Sequence, residues 1–221
     1  MVRAGALLLA VSALLVAGCG SDDDAAPETT PPPGAAGECR DVEAPAPGEA
    51  GGATAPDERL DPAKTYTLSF ETSCGTFVVT LDLDSAPATA ASLVQLAEGG
   101  FYDGTIFHRI VPGFVIQGGD PTQSGGGGPG YSTVDAPGAN ARYVRGVVAM
   151  AKTADEPPGT SGSQFFVVTG DDIGLPAEYA IVGTVTQGRD VVERIGALGD
   201  PATEQPTQPV VVETVTVSSR G

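Results

Sequence analysis

The sequence predicts a mainly β fold, a closed antiparallel barrel of eight strands capped by two short helices. Three observations carry this. Short segments with alternating or continuous apolar residues recur from residue 66 to residue 217, as strands require. Glycine (31) and proline (19) punctuate the 221-residue chain, which favours turns over long helices. Only two segments carry helical start signals or helical periodicity.

Taken in order, Tyr66 to Phe70 and Thr76 to Leu83 alternate apolar and polar residues, and Ser73-Cys74-Gly75 supplies a hairpin turn between them. Ser85-Ala86-Pro87 opens a helix, with Ser85 as its cap and Pro87 in the first turn. Leu93, Val94 and Leu96 form its apolar side, and Gly99-Gly100 ends it. Further strands are expected near 106–111, 114–118, 146–151, 164–169 and 180–186. A second short helix covers Arg189 to Ile195, and Val210 to Val217 is the last strand.

The chain ahead of this domain reads differently. Arg3 precedes an apolar run, Ala4 to Ala17, too short to cross a bilayer comfortably. It ends in Leu15-Val16-Ala17-Gly18-Cys19, which resembles the lipobox of bacterial lipoproteins. That resemblance implies a signal peptide over 1–18, lipid on Cys19 and anchoring at the extracytoplasmic face of the cell membrane. Residues 19–60, with Ser21-Asp22-Asp23-Asp24 and Pro31-Pro32-Pro33, read as a disordered tether, because they offer almost nothing large to bury. The folded domain is expected over 61–221. Lipidation leaves Cys39 and Cys74, a possible disulfide in an oxidising exterior. No cysteine or histidine spacing fits a metal site.

The net charge of −17 excludes a nucleic-acid binder, which needs clustered basic residues. It also excludes a polybasic hold on anionic lipid, so any membrane attachment runs through the lipid anchor alone. A soluble monomeric domain outside the cell is the expected form.

Two segments carry chemistry. The first is Phe107-His108-Arg109-Ile110-Val111-Pro112-Gly113-Phe114-Val115-Ile116-Gln117-Gly118-Gly119-Asp120-Pro121, where one arginine and one glutamine interrupt apolar strands. The second is Ser161-Gly162-Ser163-Gln164-Phe165-Phe166-Val167-Val168. Together they closely resemble the signature segments of the cyclophilin-type peptidyl-prolyl cis-trans isomerases. The resemblance spans roughly residues 64–217 and implies a cyclophilin-like barrel that accelerates X-Pro rotation without a cofactor. It implies Arg109 as the catalytic donor. Phe114, Val115, Phe166, Leu175 and Tyr179 become the slot for the proline ring. Gln117 and Gln164 become the groups that orient the arginine and the peptide backbone, and Ala151 and Lys152 an edge that pairs with substrate. The implied partners are proline-containing unfolded or newly exported polypeptides.

This chain departs from the family's pattern at several of these positions. Val115 stands where methionine is frequent, and Lys152 where asparagine is frequent, a change expected to be tolerated because that position works through its main chain. Gly174 takes a tryptophan position and Tyr179 a histidine position; tyrosine keeps a ring and a polar tip in the wall, whereas the lost tryptophan is expected to weaken binding of cyclosporin-like macrocycles. The lost tryptophan position and Lys152 motivate a competing reading, a proline-peptide binding or chaperone module with little turnover. Read alone, Arg109 also fits an ion pair, for instance with Asp120. His108, the one histidine, is expected to be a satisfied structural residue. A triad with Ser163 and Asp120 is rejected, since strand alternation turns 108 and 109 to opposite faces and no nucleophile elbow appears. Gly125-Gly126-Gly127-Gly128-Pro129-Gly130 lacks the ending of a phosphate loop and reads as a flexible loop beside the groove.

Overall fold

Alternation along the first apolar segment builds a hairpin. β1 (Thr65–Thr72) and β2 (Gly75–Leu81) pair antiparallel in the computed structural model, which describes residues 37–221. The expected signal peptide, Cys19 and the first part of the tether lie outside the described residues. Leu68, Phe70, Phe77 and Val79 point inward and are buried. Gly75, at φ 115°, closes the turn in a conformation that residues with a β-carbon rarely adopt.

α1 (Pro87–Glu98) has its proline in the first turn. Ser85 is not its cap. Ala86 holds that position without a side-chain bond, and the Thr89 N–H donates instead to Asp135 Oδ2 at 2.7 Å. The remaining elements are β3 (Arg109–Val111), β4 (Val115–Gly118), β5 (Thr133–Val134), β6 (Val147–Met150), β7 (Thr160–Ser161), β8 (Phe165–Val168), β9 (Ile181–Gln187), α2 (Arg189–Gly196) and β10 (Val212–Arg220). β5 and β7 form a small separate ladder that the sequence reading did not anticipate.

Eight strands join in the order β10-β1-β2-β9-β6-β8-β4-β3. The expectation of a closed barrel is corrected here: β3 and β10 are both edges, and the sheet is a curled half-barrel that stays open. β3 has only three residues, and the segments flanking the seam meet in a single isolated bridge, Ile106 to Val211. A loop covers the outer edge of β3, where the Ile110 N–H donates to the Glu204 carbonyl at 2.8 Å. Covering an edge in this way removes its open ladder as effectively as pairing does.

The main core lies inside the curl. Phe165 packs against Phe70, Tyr102 and Phe107 at ring separations of 5.2, 6.0 and 6.0 Å. Period-two alternation then sends the other face of β4, β6 and β8 outward to a second, smaller cluster of Val115, Tyr143, Val147, Ala149, Phe166 and Val168.

The segment 37–60 has no helix or strand, yet it does not hang free of the domain. Cys39 is disulfide-bonded to Cys74. The Gly48, Gly51 and Ala53 N–H groups donate to the carbonyls of Pro121, Gly128 and Pro129. The structured unit therefore begins well before residue 61. Side-chain burial, the signal a sequence carries, is slight in this segment. What holds it is backbone pairing, possible because glycines face each other: a β-carbon on Gly130 would sit 3.1 Å from the Gly51 Cα.

Candidate active site

The register of the open sheet aligns the functional side chains in one row. Arg109 pairs with Gln117, Gln117 with Phe166, Phe166 with Ala149, and Ala149 with Ile181. Directly paired residues share a face, so arginine, glutamine and phenylalanine stand side by side on the face that carries the second cluster. Val115 belongs to that cluster, and Phe114, Ala151, Leu175 and Tyr179 pack against it half-buried.

Arg109 is one-third exposed, at 34%. Its Nε donates to Glu204 Oε2 at 2.7 Å, and its guanidinium carbon lies 6.0 Å from the Phe114 ring centre. The ion pair is with Glu204 and not with Asp120. Gln117 does not bond the arginine either. Its Nε2 donates to Gln164 Oε1 at 3.1 Å, and Gln164 Nε2 donates in turn to the carbonyls of Gly125 and Gly127, each at 2.9 Å. The two glutamines thus tie the sheet to the glycine-rich loop.

That loop is fastened from below. Asp120 is fully buried, and its carboxylate accepts the N–H groups of Thr122, Gly125 and Gly127 and the Thr122 hydroxyl. Burial alone raises a carboxyl pKa, but these bonds outweigh it and hold Asp120 below the usual carboxylate range. Gly127 leaves room for this, since a β-carbon there would meet Asp120 Oδ1 at 2.1 Å. The loop is accordingly stapled, where flexibility was expected. Ser163 Oγ donates to the Gly119 carbonyl, and with Asp120 committed to the loop no triad exists. His108 differs from expectation too: neither ring nitrogen has a hydrogen-bond partner among the described residues. Burial holds its pKa below the ordinary value against the attraction of Asp120, so the ring is neutral.

The opposite wall is aromatic. Tyr179 meets Phe166 edge-on at 5.6 Å and Tyr143 at 5.9 Å. The Tyr143 hydroxyl donates to the Tyr179 carbonyl and accepts the Tyr179 N–H, at 2.8 and 3.0 Å. Gly174 is left-handed at φ 63° with open space where a side chain would project. The wall thus has no side chain at this position. Tyr143 and Glu204 were missed in the sequence. Tyr143 sits in a segment without strand or helix periodicity, and Glu204 lies among turn residues.

Lys152 works through its side chain as well as its main chain. Only 2% of that side chain is exposed. Its Nζ reaches the carbonyls of Thr153 and Glu156 and the Glu178 carboxylate, and lies 5.5 Å from the Tyr179 ring centre. Lys152→Ala strands these acceptors and is expected to lower stability by about 1–3 kcal/mol. An unchanged denaturant midpoint would contradict these contacts. A cavity of about 630 Å³ adjoins the row, lined by Gln117, Gln164, Ala151, Lys152, the glycine-rich loop and Gly51 of the N-terminal segment. Among the described residues no group of three or more His, Cys, Asp or Glu stands together as a metal site.

Known proteins place this arrangement. Residues 67–217 match the family described as cyclophilin type peptidyl-prolyl cis-trans isomerase/CLD. The chain is 37% identical over 175 residues to peptidyl-prolyl cis-trans isomerase A of Mycobacterium tuberculosis, an alignment covering 71% of this chain and 94% of that protein. It is 36% identical over 177 residues to isomerase B of Streptomyces anulatus, covering 72% and 99%. A crystal structure of a cyclophilin type peptidyl-prolyl cis-trans isomerase from Cryptosporidium parvum superposes with a TM-score of 0.64 at 27% identity, over 71% of this chain and 99% of that one. A second structure of the same isomerase, in the presence of the dipeptide Ala-Pro, gives 0.64 at 28% identity over 70% and 99%. The chain belongs to the cyclophilin-type peptidyl-prolyl cis-trans isomerase family and is an enzyme of that activity.

Proposed function

We propose that this isomerase turns X-Pro bonds in unfolded or newly exported polypeptides at the outer face of the cell membrane, held there by lipid on Cys19 and acting as a monomer. Arg109 is the catalytic residue in this reading. Amide resonance opposes rotation about the X-Pro bond by roughly 18–20 kcal/mol. In the twisted state the nitrogen turns pyramidal and its lone pair accepts a hydrogen bond. A donor that meets the twisted amide better than either planar form lowers the barrier, and no covalent bond is made or broken.

The observation that carries this is the setting of Arg109. Its Nε is taken by Glu204, while among the described residues its terminal nitrogens have no acceptor. They are left for a substrate carbonyl and the prolyl nitrogen above Phe114. Phe114, Val115, Phe166, Leu175 and Tyr179 receive the proline ring. Ala151, Lys152, Gln117 and Gln164 line the path of the flanking peptide. A binding module with little turnover is favoured only by the missing side chain at Gly174.

Refolding of an exported protein whose slow phase is a proline isomerisation tests the substrate reading. The expected result is that catalytic amounts shorten that phase. Lipid-labelled cells test the anchor: label on the parent and none on Cys19→Ala is expected. An unlabelled parent would end the lipoprotein reading.

A further inference from the structure

The geometry points to Glu204 as the positioning residue for Arg109, in place of the glutamine that the family resemblance would assign to that task. This rests on the reading of Arg109 as catalytic.

Gln117 turns its Nε2 to Gln164 Oε1 and makes no hydrogen bond to the guanidinium. Glu204 makes one from the other side. Its Oε2 lies 2.7 Å from Arg109 Nε, opposite in role to the terminal nitrogens that remain for substrate. With Nε fixed and the guanidinium carbon 6.0 Å from the Phe114 ring centre, the plane of the fork has little freedom left. A long arginine side chain otherwise loses considerable rotamer freedom when it engages a substrate. Meeting that cost in the free enzyme makes the donor preorganised for the twisted amide.

The backbone around Glu204 is built for placement. Its φ of 59° lies in the left-handed region, uncommon for a residue with a side chain. Two bonds hold it there: the Glu204 N–H donates to the Asp200 carbonyl at 2.7 Å, and the Ile110 N–H donates to the Glu204 carbonyl at 2.8 Å. The second bond ties Glu204 to the residue next to Arg109 on β3. Gly199 completes the fit, because a β-carbon there would meet the Ile110 carbonyl at 2.3 Å. Such anchoring is out of proportion to what a half-exposed ion pair, with Glu204 at 48% exposure, contributes to stability.

The test is a set of steady-state isomerisation measurements on an X-Pro peptide with the purified protein and its Glu204→Ala, Glu204→Gln, Arg109→Ala and double Arg109→Ala/Glu204→Ala variants. Glu204→Ala is expected to lower kcat about five- to tenfold with KM within about twofold of the parent. Glu204→Gln keeps an acceptor for Nε–H and is expected to lose only about two- to threefold. Because both backbone bonds survive substitution, thermal midpoints should stay within about 2 °C of the parent. The double variant should be no slower than Arg109→Ala alone. Parent-like kcat in Glu204→Ala beside a crippled Arg109→Ala would overturn the inference. So would a faster Glu204→Ala, which would make the carboxylate a competitor of substrate. Parent-like activity in Arg109→Ala would instead sink the reading of Arg109 itself.

Discussion

Arg109→Ala is expected to lower kcat/KM for a short X-Pro peptide by at least about tenfold, because it removes the preorganised donor to the twisted amide. The loss should fall mainly on kcat, since the donor matters most in the twisted state. Stability should hardly change, because the ion pair to Glu204 is partly exposed. Arg109→Lys keeps a charge but loses the fork and the Nε–H that Glu204 accepts, so little recovery is expected. A loss below about twofold in a folded Arg109→Ala variant would remove the arginine from the mechanism.

Breaking the Cys39–Cys74 bond is expected to have the largest effect on stability. The two cysteines are 35 residues apart, and a closed loop of that length contributes about 4 kcal/mol on the chain-entropy account. For a domain of this size that corresponds to a fall of roughly 8–15 °C in thermal midpoint. The Cys39→Ser variant isolates the effect, since it leaves Cys74 as a small buried thiol in the core. Reductant should bring the parent down to the variant and leave the variant unmoved. A parent whose midpoint ignores full reduction would show that the bond adds nothing. The same loop carries the segment paired with Pro121, Gly128 and Pro129, so its opening should also raise hydrogen exchange at Gly51 and Ala53.

The parts of the site that were legible in the sequence rest on its two signature segments. Arg109, Gln117 and Phe166 fall in one row because the pairings on β3, β4 and β8 place them opposite one another; the resemblance of the two signature segments to the family named them as one site, while alternation within each strand leaves the register between strands open. What escaped depends on contacts distant in sequence or carried by backbone. Asp135 caps α1 from 46 residues away, so Ser85 drew attention through local spacing alone. Glu204 reaches Arg109 across 95 residues from a left-handed turn with no periodicity. Residues 45–54 are too small to signal burial, and their hydrogen bonds come from main-chain atoms that every sequence has. Whether the curl closed was equally illegible, since strand count does not say whether three-residue β3 can pair with β10. Lys152 was read through its main chain, and its inward side chain follows from the carbonyls of the loop after it.

The most direct test of the account is the relaxation of an X-Pro peptide from a cis-enriched mixture in the presence of increasing purified protein. Uncatalysed, the bond turns in tens to hundreds of seconds. The account predicts a first-order rate that rises linearly with protein concentration well above that background. A rate that stays at background while the protein is demonstrably folded would contradict it, and would leave a proline-peptide binding module in its place.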